Sequence, residues 1–193
     1  MGESRCPWAT VNPLMTAYHD EEWGVPVRDD DKLFEFMVLD AFQAGLSWAI
    51  ILKKRDAFRE AFDGFDAERI AGFTKRRVTQ LLRNPGIVRN RLKVEATVSN
   101  AKAYLRLRDE LGSCGAFLWS FVDGRPRQNA WKTPRQVPAR TPQSDRMSAA
   151  LKARGFKFVG STICYAFMQA AGMVNDHLVD CFRHEYVMRR ARR

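Results

Sequence analysis

No apolar run in the 193-residue sequence approaches the roughly 18 residues that a membrane-spanning helix needs. Residues 1–8, Met-Gly-Glu-Ser-Arg-Cys-Pro-Trp, lack the apolar segment of a secretory leader. Cys6 stands where a myristoylation pattern needs Ser or Thr. These absences predict a cytoplasmic protein with no membrane partner. Cysteine and histidine are scarce, with four of the first and three of the second. In a reducing compartment Cys6, Cys114, Cys164 and Cys181 are expected as buried thiols or metal ligands, not as disulfides. Period-two alternation is almost missing. Only Phe156-Lys157-Phe158-Val159 shows it, and four residues cannot make a sheet alone. Internal repeats and low-complexity linkers are also absent.

Acidic charge is in deficit. The 32 Lys and Arg outnumber 22 Asp and Glu, giving a net charge of +10. A basic surface suits phosphate, but charge alone leaves a nucleic-acid binder and an ordinary basic protein equally open. With 46% apolar residues the chain is expected to form one globular domain over residues 1–193. Its core falls at about residues 5–182, and a basic tail at 183–193 is read as flexible.

The remaining pattern is helical, so the class is all-α. Asp29, Asp30 and Asp31 can cap a helix through Leu33, Phe34, Met37 and Phe42, with negative charge at its positive end. Ser47 is placed to start a second helix carrying Trp48, Ile51, Leu52, Phe58 and Phe62. Thr74 can cap a short helix over Val78, Leu81 and Leu82, and Asn84-Pro85-Gly86 ends it as a tight turn. A long helical pattern resumes at Ile87, and another short one runs from Phe117 to Val122. Residues 123–142 lack apolar period and read as a surface loop. Ser144 and Ser161 start the last two core helices, which Gly155 and Gly172 stop.

Two features are suggestive but weak alone. The segment around Gly86 is a helix, a tight turn and a helix start, which can grip a phosphate through backbone N–H groups without reading sequence. Arg89, Arg91 and Lys93 lie nearby, yet an ordinary αα-hairpin explains the segment as well. His177-x-x-x-Cys181 places two metal-binding side chains on one helix face. Cys6 and His19, thirteen residues apart, could complete a closed Cys2His2 set for a structural metal. An isolated His-x-x-x-Cys is more often coincidence, and His184 is a competing ligand on paper.

Six segments in order change the balance: Cys6-Pro7-Trp8, Ala17-Tyr18-His19-Asp20-Glu21-Glu22-Trp23-Gly24-Val25-Pro26, Phe42-Gln43-Ala44-Gly45-Leu46-Ser47-Trp48, Phe117-Leu118-Trp119-Ser120-Phe121-Val122, Arg154-Gly155-Phe156-Lys157-Phe158-Val159-Gly160 and Val174-Asn175-Asp176-His177. Together they resemble the 3-methyladenine DNA glycosylase I family from about residue 5 to residue 182. The resemblance implies a helix-hairpin-helix glycosylase fold, with a structural Zn2+ on Cys6, His19, His177 and Cys181 joining the two chain ends. It implies a pocket for a flipped-out methylated adenine, with Trp8, Tyr18 and Trp48 around the base and a carboxylate at Asp40. Alkylated double-stranded DNA is the implied partner of a monomer.

The chemistry suits those residue types. Flipping a base costs a few kcal/mol, and stacking on aromatic faces returns about 1–3 kcal/mol. N3-methylation makes the ring cationic, so an indole face gains cation–π energy. The base departs neutral, so no general acid has to protonate it. A carboxylate at position 40 can accept from the adenine amino edge and attract the cation. The family pattern has Glu there, and Asp reaches roughly 1.5 Å less far. Met15 stands where the family can have Tyr. A binder of damaged DNA that has lost catalysis through Asp40 is therefore the second reading. A general nucleic-acid module, indifferent to methylation, is the third. Gly45, Leu46, Gly86, Arg89 and Arg91 are the expected DNA contacts. Trp23 and Trp119 are read as core packing, and Asp109 as a solvated surface charge.

Overall fold

The structure is a computed structural model that describes residues 4–190. Its organising element is α2 (Asp30–Gln43). Asp29 caps it by accepting the Lys32 backbone N–H at 2.8 Å, and Asp30 and Asp31 lie in the first turn, where the helix dipole is positive. Residues 33–42 are buried without a break. A helix covered on every side is a central rod, not an amphipathic surface element.

The other helices wrap this rod. α1 (Pro13–Glu21) is capped by Asn12, which accepts from the Met15 N–H at 3.0 Å. The single helix expected from Ser47 is two, α3 (Trp48–Lys53) and α4 (Arg55–Ala61). The break falls at Lys54, whose ammonium donates to the Pro85 and Gly86 carbonyls at 2.9 and 3.3 Å. That tie across the fold is invisible in local periodicity. α5 (Ala67–Ala71) packs along α7, and α6 (Lys75–Leu81) is capped by Thr74 as its sequence suggests. α7 (Arg91–Leu111) starts four residues later than its apolar pattern, because Asn90 accepts from the Lys93 N–H and sets the cap there. α8 (Cys114–Ser120) and α9 (Pro142–Ala153) each begin ahead of the expected position, at the caps Ser113 and Thr141. α10 (Ser161–Ala170) follows its expected bounds.

Phe156 to Val159, too short to make a sheet alone, form no strand. Two expectations are corrected. The β structure among the described residues is one parallel pair, β1 (Arg127–Gln128) with β2 (Val174–Asn175), inside and beyond the segment read as a plain loop. The basic tail is not free chain up to residue 190. It forms α11 (Phe182–Arg190), anchored by fully buried Val187 and by Asn175 Nδ2 donating to the His184 carbonyl at 3.0 Å. The buried Arg183 guanidinium lies 4.0 Å from the Tyr186 ring centre. Burial of one face and a Glu185–Arg189 pair outweigh the repulsion among the arginines. Arg192 and Arg193 lie outside the described residues. No helix among those described is long and apolar enough to cross a membrane.

The end of α10 meets the stretch after α1 at Gly172. Its φ is +68°, and a β-carbon there would lie 2.4 Å from the Val25 carbonyl carbon. Gly172→Ala combines left-handed backbone strain with overpacking against main chain that cannot yield, so we expect a loss of about 2–4 kcal/mol in urea unfolding. An unchanged midpoint would show that these two segments can separate freely.

Candidate functional site

Four side chains from opposite ends of the chain meet in the interior. Cys6, His19, His177 and Cys181 are all buried, and their ligand atoms lie within 4.8 Å of one another. His177 Nδ1 is 3.2 Å from His19 Nε2, 3.7 Å from Cys181 Sγ and 3.9 Å from Cys6 Sγ, while Cys181 Sγ is 3.4 Å from His19 Nε2. A tetrahedral ion with bonds of about 2.0–2.3 Å needs ligand separations of roughly 3.3–3.8 Å. The group therefore fits a four-coordinate metal with no open position.

The surrounding contacts fit too. His19 Nδ1 meets the Asp20 carboxylate at 2.7 Å, and His177 Nε2 meets the Trp23 carbonyl at 3.0 Å. Each contact takes the N–H that leaves the other ring nitrogen free to ligate. Burial pushes His177 below its ordinary pKa, toward the neutral ligating form. The Leu178 N–H donates to Cys6 Sγ at 3.4 Å. His184 is not part of the group; its Nε2 lies 2.8 Å from the Asn129 carbonyl.

Next to this cluster is a cavity of about 490 Å3, and Trp8, Tyr18, Asp40 and Trp48 all line it. The first turn and α1 bring Trp8 and Tyr18 together at a ring separation of 6.3 Å, and Trp48 at the head of α3 lies 5.3 Å from Tyr18. Met15 also lines the cavity. Trp23, read as core, is a lining residue as well, packed edge-on against Trp8 at 4.9 Å. Trp119 is core: it is 1% exposed and donates to the Val27 carbonyl.

The two buried carboxylates of α2 differ sharply. Glu35 is held by Arg55 at 2.7 Å, Arg59 at 3.0 Å and Lys32 at 3.1 Å. Burial opposes its ionisation, but Arg55 and then Lys32 outweigh that and lower its pKa. Asp40 has no such company. It is 3% exposed, and its Oδ2 has no hydrogen-bond partner. Burial alone pushes its pKa well above 3.8. Trp48 Nε1 is a second buried, unpartnered polar atom on the same cavity. A buried polar group without a partner is costly, and two on one cavity wall mark a place built for a polar guest.

Sequence reasoning missed one wall and its anchor. Residues 134 and 137–139, from the supposed surface loop, line the cavity along with Tyr165, Gln169 and Asp176. Asp176 accepts from Tyr165 Oη and Gln169 Nε2 at 2.6 and 2.7 Å on one oxygen, and from Asn129 Nδ2 and Trp131 Nε1 at 2.7 and 2.8 Å on the other. The available signal was the polar run Asn175-Asp176-His177 in an otherwise apolar stretch.

The expected DNA contacts lie on the surface between helices. Gly45 is exposed with φ +78° and open space where a β-carbon would sit. Leu46 is half-buried, and its carbonyl accepts from Gln43 Nε2 at 3.0 Å. Gly86 permits close approach, since a β-carbon would lie 2.9 Å from that of Ala57. Its N–H is already donated to Asn84 Oδ1 at 2.8 Å. Arg89 is exposed, and exposed Arg91 pairs with Glu95 at 3.4 Å. Lys93 does not join them. Its buried ammonium donates to the Phe42 and Ala44 carbonyls at 2.7 and 2.5 Å, closing the end of α2. Asp109 is exposed, as read.

The fold is helical, four buried Cys and His side chains form a group that could hold a metal, and an aromatic cavity beside them carries an unpartnered acid. The family model for methyladenine glycosylases matches residues 8–184, and the chain belongs to that family. It is 48% identical over 177 residues to DNA-3-methyladenine glycosylase 1 of Escherichia coli (strain K12), covering 92% of this chain and 95% of that one. It is likewise 48% identical over 178 residues to the DNA-3-methyladenine glycosylase of Haemophilus influenzae, covering 92% and 96%. A crystal structure of 3-methyladenine DNA glycosylase I superposes with a TM-score of 0.91 at 51% identity, over 93% of this chain and 98% of that one. The Staphylococcus aureus enzyme, solved for its recognition of 3-methyladenine, gives 0.89 at 38% identity, over 92% and 95%.

The raised pKa of Asp40 has a signed consequence. Above its ordinary value of 3.8 the unfolded carboxyl ionises while the folded one resists, so Asp40 subtracts stability as pH rises. Asp40→Asn is expected to match the wild type in urea near pH 4 and to exceed it increasingly toward pH 8. A difference that does not change with pH would mean that the folded carboxyl has a partner.

Proposed function

We propose that this chain is a monofunctional DNA glycosylase that hydrolyses the bond between 3-methyladenine and deoxyribose in alkylated double-stranded DNA, leaving an abasic site. The observation that carries the reading is the solitary buried carboxyl of Asp40 in an aromatic cavity. A methylated adenine is cationic, flat and rich in donors at its amino edge. It supplies what Asp40 lacks, while Trp8, Tyr18 and Trp48 offer π-faces to the ring.

Each residue then has a defined task. The Gly45–Leu46 turn and the hairpin at Gly86, with Arg89 and Arg91, meet the DNA as the nucleotide leaves the stack. The aromatic side chains hold the base and exclude water from its faces. Asp40 accepts from the amino edge and orients the ring. The cation leaves as a neutral purine, water adds to the sugar carbon, and one proton is released. The protein acts by binding and orientation, with no covalent intermediate. Cys6, His19, His177 and Cys181 hold a structural Zn2+, which supplies a cross-link and no chemistry at the base. The monomer, acting in the cytoplasm, suffices because one chain contributes every group named.

Methylated DNA incubated with the wild type should release 3-methyladenine, identified by chromatography, and Asp40→Asn should release at least a hundredfold less, on the order of the cost of misplacing a base-orienting group. Release only by Asp40→Glu, with none by the wild type, would instead define a binder of damaged DNA. The acid limb of kcat/KM should rise with pH through a pKa above the usual carboxylate range, and Asp40→Asn should lack that limb. Elemental analysis should find about one zinc per chain. Stripping it should cost about 3 kcal/mol or more, a fall in Tm of roughly 6–12 °C. A metal-free protein of full stability would refute the structural ion.

A further inference from the structure

We infer that Lys132 and Arg135 form a second phosphate-binding surface, at the mouth of the base cavity and separate from the hairpin; the inference rests on the glycosylase reading. The segment that carries them is a wall of that cavity, since Pro134, Val137 and Pro138 line it. Arg135 sits between lining residues, with its own side chain exposed. A nucleotide whose base occupies the cavity carries a phosphate on each side of its sugar, and both must lie at the cavity's mouth. Lys132 and Arg135, carried by that wall segment, are the cations assigned to those phosphates.

The charge pattern fits that partner. Residues 124–144 hold five cations and no acid. Some exposed arginines elsewhere pair with local acids, Arg69 with Asp66, Arg108 with Glu68 and Arg189 with Glu185, while others such as Arg89 have no ion pair among the described residues. Lys132 and Arg135 are exposed and have no ion pair among the described residues, whereas Arg140 reaches Asp145 at 3.7 Å.

The segment is also stiff, which a loose charged loop is not. Gln136 Oε1 accepts from the Lys132 and Thr133 N–H groups at 2.7 and 3.2 Å. Trp131 donates to Asp176 through its indole, and its carbonyl accepts from the Val179 N–H at 2.9 Å. Asn129 Nδ2 donates to the same carboxylate. The backbone that carries the cations is thus fixed to the segment between β2 and α11, beside the Cys and His group. Little backbone entropy is lost when they engage a phosphate, and a preset position gives register as well as attraction.

The test is the salt dependence of binding to duplex DNA, with and without 3-methyladenine, beside binding of free 3-methyladenine. In the double variant Lys132→Ala/Arg135→Ala the slope of log K against log salt should shrink by about 1–2, and duplex affinity should fall roughly tenfold. Both duplexes should be affected, because phosphates carry no base information. Free-base binding reports the cavity alone and should stay within about twofold. Arg135→Lys should keep the slope and Arg135→Gln should lose about one unit of it. Unchanged slopes beside normal excision by the wild type would overturn this surface while leaving the glycosylase intact. Equal losses for duplex and free base would also overturn it, showing that the loop acts through cavity shape. A wild type that neither binds nor excises methylated DNA would remove the glycosylase reading and this inference with it.

Discussion

The closure of the chain on itself at Cys6, His19, His177 and Cys181 is the constraint on which the site depends. Cys6 and His177 are 171 positions apart, yet their ligand atoms lie 3.9 Å apart. A metal bound by this group would pin the loop and remove on the order of 5 kcal/mol of unfolded-chain entropy in the loop-closure picture. The pin also sets function geometrically. Trp8 is two residues beyond one ligand, and the Trp23 carbonyl holds the ring of another. Asp176, adjacent to His177, gathers the β1–α9 loop and α10 onto a single carboxylate. Three cavity walls are thus fastened to one small cluster, which no individual helix could accomplish.

α2 presents the complementary problem. Its residues 33–42 are buried, so both of its interior carboxylates forgo water. Glu35 recovers the loss through three cations, whereas the Oδ2 of Asp40 has no hydrogen-bond partner among the described residues. One helix therefore holds a structural acid and an unsatisfied one, less than two turns apart. Lys93 gives α2 its firm end by filling the Phe42 and Ala44 carbonyls. The turn at Gly45 is fixed relative to Asp40 in consequence. Local instability concentrated at a rigidly held group is the mark of a site built for a guest.

Much of this was legible in the residues. Asp29 and Thr74 announced their helices because a cap acts within three positions of itself. The four-residue set was legible once the six segments were read together, but the helical face expected of His177-x-x-x-Cys181 is absent: α11 begins only at Phe182, and a turn brings the two side chains together. What escaped acts at long range. Residues 134–139 have no apolar period because a single 3-10 turn, Pro134–Gln136, and the three residues after it form the wall, too short a stretch for a helical repeat. The bonds that seat them on Asp176 span 45 and 47 positions. α11 looked like free basic chain because of its arginines, and its tie to β2 through Asn175 has no local signature. The α3–α4 break falls at Lys54, whose side chain reaches the hairpin 31 residues away. Trp23 was read as core for the same reason: only the assembled cavity distinguishes a lining indole from a packed one.

The state of Asp40 gives the proposed reaction a direction. In the free protein burial favours the neutral acid. A cationic base brings a charge and donors into the cavity, and that company favours the carboxylate, by the same physics that holds Glu35 ionised beside Arg55. When the glycosidic bond breaks, the purine becomes neutral and the stabilising charge vanishes. The carboxylate is then again an uncompensated buried ion, and proton uptake returns it to its resting form. Attraction is therefore strongest before the chemistry and weakest after it, which favours product departure. A site that met the base with a permanent buried ion pair could not make that distinction, because its affinity would be spent on its own partner. In the proposed reaction the unpaired acid, though less stable, would respond to the charge that N3-methylation gives the adenine ring.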